Sequence, residues 1–136
     1  MTHTSITLLS LVAWCLIMVM SLGVYRTSLV LAGKRAANSF GASGDDAGAL
    51  GKRLTRAHAN CYENLPAMAA LLLYAIAVDK TAITDGLAYT LLGARIAQSL
   101  VHIMSTNTVA VLIRFALFGV QLFILCFWLL RFFGHI

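Results

Sequence analysis

Four stretches of this chain, about residues 6–33, 54–78, 86–104 and 109–133, are apolar almost throughout, and little sequence is left between them. A helix rises 1.5 Å per residue, so roughly 20 apolar residues cross a hydrocarbon core of about 30 Å. Each stretch is long enough or nearly so. The pattern predicts an all-α protein, an integral membrane four-helix bundle, in one domain over residues 1–136. Composition agrees, since only 11% of the residues are charged, against about 25% in soluble domains. The mean hydropathy is +0.87. A net charge of +5 could suggest a nucleic-acid partner, but the basic residues are few and scattered among apolar runs. No nucleic acid is expected, and the lipid bilayer is the first partner.

The first stretch reads as an anchor and not as a cleaved signal. No Lys or Arg precedes Arg26, and the apolar run is longer than a signal core. The loop at 34–53 is rich in Gly and Asp, which punctuate helices. Pro66 falls inside the second span, where neighbouring helices can satisfy the freed carbonyl. The later connections, Asp79–Asp85 and Ser105–Asn107, are short, so successive helices should run antiparallel. Lys34, Arg35, Lys52, Arg53 and Arg56 cluster around the first loop, which the positive-inside rule makes cytoplasmic, with both termini opposite. Arg26 should snorkel to the headgroups, and Tyr89 and Trp128 read as interface anchors. Cys15, Cys61 and Cys126 are odd in number and without CxxC spacing, so they read as buried thiols and not as a disulfide or metal framework. No metal site is expected.

Ionisable residues inside a span are costly and tend to face the bundle interior. Arg56, Asn60 and Glu63 are four and three residues apart, which places them on one helix face. Arg95, Gln98 and His102 repeat that spacing on the third span. Arg114 lies about two turns into the fourth, and Arg35 borders the first. All but Arg95, which is nearer the middle, can share the cytoplasmic half. The set holds four arginines against one glutamate, which suits a small polycarboxylate anion, since guanidinium forks bind carboxylates bidentately. Glu63 would meet an ammonium or hold an arginine. A purely structural reading also stands: an Arg56–Glu63 ion pair, with Asn60 and Gln98 as interhelical glue.

The run Arg56-Ala57-His58-Ala59-Asn60-Cys61-Tyr62-Glu63-Asn64-Leu65-Pro66 resembles the signature R-A-x-x-N-x-x-E-x-x-P of the MAPEG family, the membrane-associated proteins of eicosanoid and glutathione metabolism. Ala94-Arg95-Ile96-Ala97-Gln98 is similar to the family's A-R-x-x-H segment. The resemblance implies a homotrimer of four-helix subunits that binds glutathione between subunits, in the cytoplasmic half. It implies that Arg35, Arg56, Asn60, Glu63, Arg95 and Gln98 bind glutathione as co-substrate. Arg114 would activate its thiol, with His102 as a substitute donor. The activity implied is a glutathione transferase or peroxidase acting on hydrophobic small molecules. This chain departs from many members at Gln98 for His, His102 for Tyr, Ala59 for a basic residue, and Phe115 and Phe118 for hydroxyls near the sulfur. Two other readings stand beside the enzyme: a non-catalytic membrane protein that binds glutathione or a similar anion, and a small transporter using Glu63, Arg95 and His102 as a relay. The compact loops point to a bacterial inner membrane.

Overall fold

The computed structural model describes residues 1–136, all helix and connection with no strand. The helices are α1 (His3–Leu31), α2 (Gly48–Ala77), α3 (Asp85–Met104) and α4 (Thr108–Phe132). Two of them, α1 and α4, are long and apolar enough to cross a membrane. The helices α2 and α3 pack against each other and against both of the others, whereas α1 and α4 hardly meet. That arrangement follows from composition, because the polar residues of α2 and α3 need protein neighbours while α1 and α4 can present apolar faces to lipid.

Local chemistry sets the ends. Thr2 caps α1 by accepting from Ser5 N–H at 3.1 Å, and Asn107 caps α4 by accepting from Ala110 N–H at 2.8 Å. The chain leaves α1 through Gly33, whose φ of +67° suits a residue without a Cβ. It enters α2 earlier than the hydropathy suggests. The helix begins at Gly48, six residues before the apolar run at 54, and its first turns hold two glycines and the charged Lys52 and Arg53. The connection before it is ordered by a short 3-10 turn, Asp45–Ala47, and by an ion pair between Lys52 and Asp45. Gly44, at φ +73°, approaches Thr55 so closely that any Cβ would collide with the threonine side chain.

The interior is divided along the bundle axis. In the half away from the α1–α2 loop, Leu11, Met68, Leu72, Leu91, Ile124 and Trp128 form the main apolar core. The other half has a thinner core of Met18, Ala57 and Cys61, leaving room for polar side chains. Several expectations are corrected here. Trp128 is fully buried in the main core and anchors no interface, because its ring fills the space between α4 and the other helices. Cys126 is exposed on α4, and only Cys61 of the three thiols is fully buried. Arg26 does not extend freely: its Nη2 donates to the Gly41 carbonyl at 3.3 Å, and its guanidinium lies 5.4 Å from the Phe40 ring centre. The folded-back loop supplies the partners that headgroups would otherwise provide.

Candidate functional site

Near the loop end, α2, α3 and α4 frame a cleft with two adjoining hollows of about 480 and 380 Å³. Both hollows are lined by Asn60, Glu63, His102 and Arg114. The smaller adds Arg56 and Ala59. The larger adds Asn64 and Gln98, with Val111, Phe115 and Phe118 as its apolar wall. The one-face spacing of Arg56, Asn60 and Glu63 is thus realised as a single wall of α2. A larger groove of about 570 Å³ on the outer face of α1 is a weaker candidate. It has no charged group, and its two serines already donate to their own helix, Ser21 to Ile17 and Ser28 to Tyr25.

The cleft side chains divide into held and free groups. Arg114 Nη1 lies 2.9 Å from His102 Nδ1. A guanidinium only donates, so Nδ1 accepts and the proton of the neutral ring sits on Nε2. Arg114 is thereby fixed by a neutral partner and keeps its full positive charge. Arg56 and Glu63 are exposed in the isolated chain. The structure contains no ion pair between them, since the one ion pair present is Lys52–Asp45. The structural reading of that pair is therefore set aside, and both charges are available to a ligand.

Arg95 takes a different place from Gln98 and His102, although the three share a helix face. Arg95 is 1% exposed and lines neither hollow. Its Nη1 donates to Asn60 Oδ1 at 2.7 Å and to the Asn60 carbonyl at 3.3 Å. It supports the cleft from behind by holding Asn60. Gln98 Nε2 donates to the Arg114 main-chain carbonyl at 3.1 Å, and its Oε1 accepts from Gln121 Nε2 at 3.0 Å. Gln121 also donates to the Leu117 carbonyl at 2.9 Å. The two glutamines bind α3 to α4 and fix the rotation that turns Arg114 into the cleft. Arg35 stays apart, exposed just beyond α1 and bonded to none of these groups.

Sequence reasoning overlooked Gln121, Asn64 and Arg53. Gln121 is seven residues from Arg114, hence on the same face of α4, and Asn64 is four from Asn60, where it donates to the Asn60 carbonyl at 2.8 Å. Arg53 gave no such signal. Its Nε donates to the Ile103 carbonyl at 2.7 Å, satisfying the C-terminal end of α3.

The loop provides the ionisable group outside the bundle whose state the structure clearly sets. The ammonium of Lys52, with help from the Ser43 hydroxyl, holds the Asp45 carboxyl below its ordinary value of 3.8.

Four antiparallel helices, two of them apolar enough to span a bilayer, with an arginine-bearing cleft at one end, define an integral membrane helical bundle built around a polar site. The chain belongs to the MAPEG family, which matches residues 4–134 of the 136. Membership places it among membrane four-helix-bundle proteins of glutathione and eicosanoid metabolism. No curated protein and no solved structure matches the chain.

Proposed function

We propose that the cleft binds glutathione and ionises its thiol for attack on a lipophilic electrophile or hydroperoxide. The observation that carries this reading is the Arg114–His102 pair facing the unpaired charges of Arg56 and Glu63. Glutathione has two carboxylates and one ammonium. Arg56, with Arg35 of a neighbouring subunit in a trimer, meets the carboxylates, and Glu63 meets the ammonium. A hollow of about 480 Å³ falls within the roughly 300–1,000 Å³ of small-molecule sites. Arg95 acts through Asn60 from behind the cleft, whereas Gln98 lines the larger hollow and also braces the Arg114 main chain.

Arg114 would stabilise the thiolate, since a free thiol with pKa about 8.5 ionises more readily beside a cation. His102 Nδ1 is already occupied, so His102 is not the base, and the thiol proton leaves to water at the open mouth. The Nε2–H is the one donor the ring has left, in the role a hydroxyl would fill. The sulfur then attacks the electrophile and the leaving group departs; with a hydroperoxide it attacks the terminal oxygen, the O–O bond breaks, the alkoxide takes up a proton to become an alcohol, and a second glutathione thiol converts the resulting sulfenic acid to glutathione disulfide and water. The electrophile enters along Val111, Phe115 and Phe118, on the side of α4 that faces lipid. In this reading the loop at 34–53 is cytoplasmic, both termini are opposite, the protein is a homotrimer, and the membrane is a bacterial inner membrane.

Conjugation of a chloronitrobenzene by the purified protein tests the proposal. Arg114→Ala should lower kcat by about 10²–10³, the usual cost of removing one preorganised charge-stabilising group. Unchanged turnover would overturn the mechanism. One observation favours a non-catalytic alternative: no hydroxyl lines the hollow around Arg114, where Phe115 and Phe118 stand. Saturable calorimetric binding of glutathione with no turnover would establish that reading.

A further inference from the structure

Two amides on the α2 wall of the cleft have their orientation fixed by partners outside it. A side-chain amide can offer a ligand either its oxygen or its nitrogen, and its other hydrogen bonds decide which. Asn60 Oδ1 accepts from Arg95 Nη1 at 2.7 Å. A guanidinium only donates, so the reversed amide would set donor against donor, and Asn60 Nδ2 is left to the cleft. One helical turn further on, Asn64 Nδ2 donates to the Asn60 carbonyl at 2.8 Å. Reversal there would set oxygen against oxygen, so Asn64 Oδ1 is the atom left over. Both residues line the larger hollow, and neither Asn60 Nδ2 nor Asn64 Oδ1 has a partner within the chain. The other uncharged side-chain acceptors of that hollow are occupied: Asn60 Oδ1 by Arg95, His102 Nδ1 by Arg114 and Gln98 Oε1 by Gln121. Asn64 Oδ1 is therefore the neutral acceptor open to a ligand, with the donor Asn60 Nδ2 beside it.

We propose that Asn64 is a specificity-determining residue: its Oδ1 accepts a peptide N–H of the thiol ligand while Asn60 Nδ2 donates to a peptide carbonyl, so the cleft selects a peptidyl thiol over a simple thiol of the same charge. This selection rests on glutathione as the ligand of the cleft and deepens that reading. Charge alone does not make the choice, because Arg56 and Glu63 meet carboxylates and an ammonium whatever chain joins them. A peptide unit supplies both missing partners. In glutathione the N–H nearest the sulfur belongs to the cysteine residue, and Asn64 lines the same hollow as Arg114. The cysteine N–H is accordingly the one that meets Asn64. Both amides are held before the ligand arrives, so little rotamer freedom is lost on binding. A ligand without that N–H leaves Asn64 Oδ1 unpaired, and a site built to hydrogen-bond a ligand group discriminates strongly against its absence.

Calorimetric titration of the full-length protein in detergent tests this role. The probes are glutathione, its ester isostere with oxygen in place of the cysteine N–H, and the ester isostere at the glycine N–H. The wild-type protein should bind the cysteine ester about tenfold more weakly than glutathione, and the glycine ester within about twofold of it. Asn64→Ala should bind glutathione about tenfold more weakly and should no longer distinguish it from the cysteine ester. Asn64→Asp keeps an acceptor oxygen but loses the donor to Asn60, so it should still distinguish them. If Asn64 only held the helix, both variants would behave alike and the ester penalty would persist in each. An equal cysteine-ester penalty in the wild type and Asn64→Ala, no such penalty in the wild type, or a larger penalty for the glycine ester would overturn the role of Asn64 while leaving glutathione as the ligand. No saturable binding of glutathione by the wild-type protein would overturn both.

Discussion

Arg95 and Arg114 are held among the helices in different ways, and only the Nη1 of Arg95 has a partner. Arg95 is buried against Asn60, whereas Arg114 is half-buried and held by a neutral imidazole. The first arrangement supports a wall of the cleft, and the second presents charge to a ligand. Spacing alone placed Arg95, Gln98 and His102 on one face, but a stripe on a helix spans several turns and can meet different neighbours at each. Gln98 and His102 line the cleft while Arg95 lies behind it, an outcome set by how α3 packs against α2 and α4, which no residue type encodes. Gln121 is the sharpest residue-scale test. It is fully buried, lines no part of the cleft, and donates to Gln98. Gln121→Leu leaves Gln98 Oε1 buried without its donor, which should cost about 1–3 kcal/mol in thermal unfolding in detergent. If the glutamine pair sets the rotation of Arg114, the variant should also lose turnover at temperatures where it is still folded.

At the scale of elements, the helices were legible because hydropathy and helix length are the same constraint in a membrane chain. The start of α2 was not, because the two glycines and two charges of residues 48–53 read as loop, yet the helix extends through them. The ordered α1–α2 connection was equally hidden, since Gly and Asp signal a turn without naming its partners. Its ion pair makes a prediction with a definite sign. Lys52 lowers the folded pKa of Asp45 below 3.8. The contribution of the ionised carboxylate is therefore complete above that ordinary value, and it is lost as pH falls through the lowered one. Hydrogen exchange of the amides at 44–48 should show protection at neutral pH that fades in acid and in high salt, because the pair is exposed. Asp45→Asn should reduce that protection at neutral pH and remove the acid dependence. The other end of the bundle is tied differently. Asp85 accepts from Thr4 N–H at 2.8 Å and from the Thr4 hydroxyl at 2.6 Å, joining the start of α1 to the start of α3. Asp85→Ala removes a cap and should lower stability by about 0.5–2 kcal/mol, with KM for glutathione unchanged because the cleft is at the opposite end.

At the scale of the molecule, one half of the bundle carries the main apolar core and the other carries the charges. The division lets packing hold the helices together while the loop end remains open enough to admit a polar ligand. A single chain nevertheless leaves the proposed site short of cations. Arg56 and Arg114 face the cleft, but Arg35 stands outside it, and large apolar side chains such as Leu16, Met20 and Phe123 remain exposed on α1 and α4. Part of that surface meets lipid, and in the proposed trimer part meets a second copy, which would bring its Arg35 to the neighbouring cleft. The arrangement can be tested by complementation. Arg35→Ala and Arg114→Ala homo-oligomers should each have strongly reduced turnover. Co-expressed and purified as mixed assemblies through two different tags, they should regain a substantial fraction, because some clefts then combine a wild-type Arg35 with a wild-type Arg114. If Arg35 served the cleft of its own subunit, every cleft in the mixture would lack one arginine, and activity would stay at the level of the single variants.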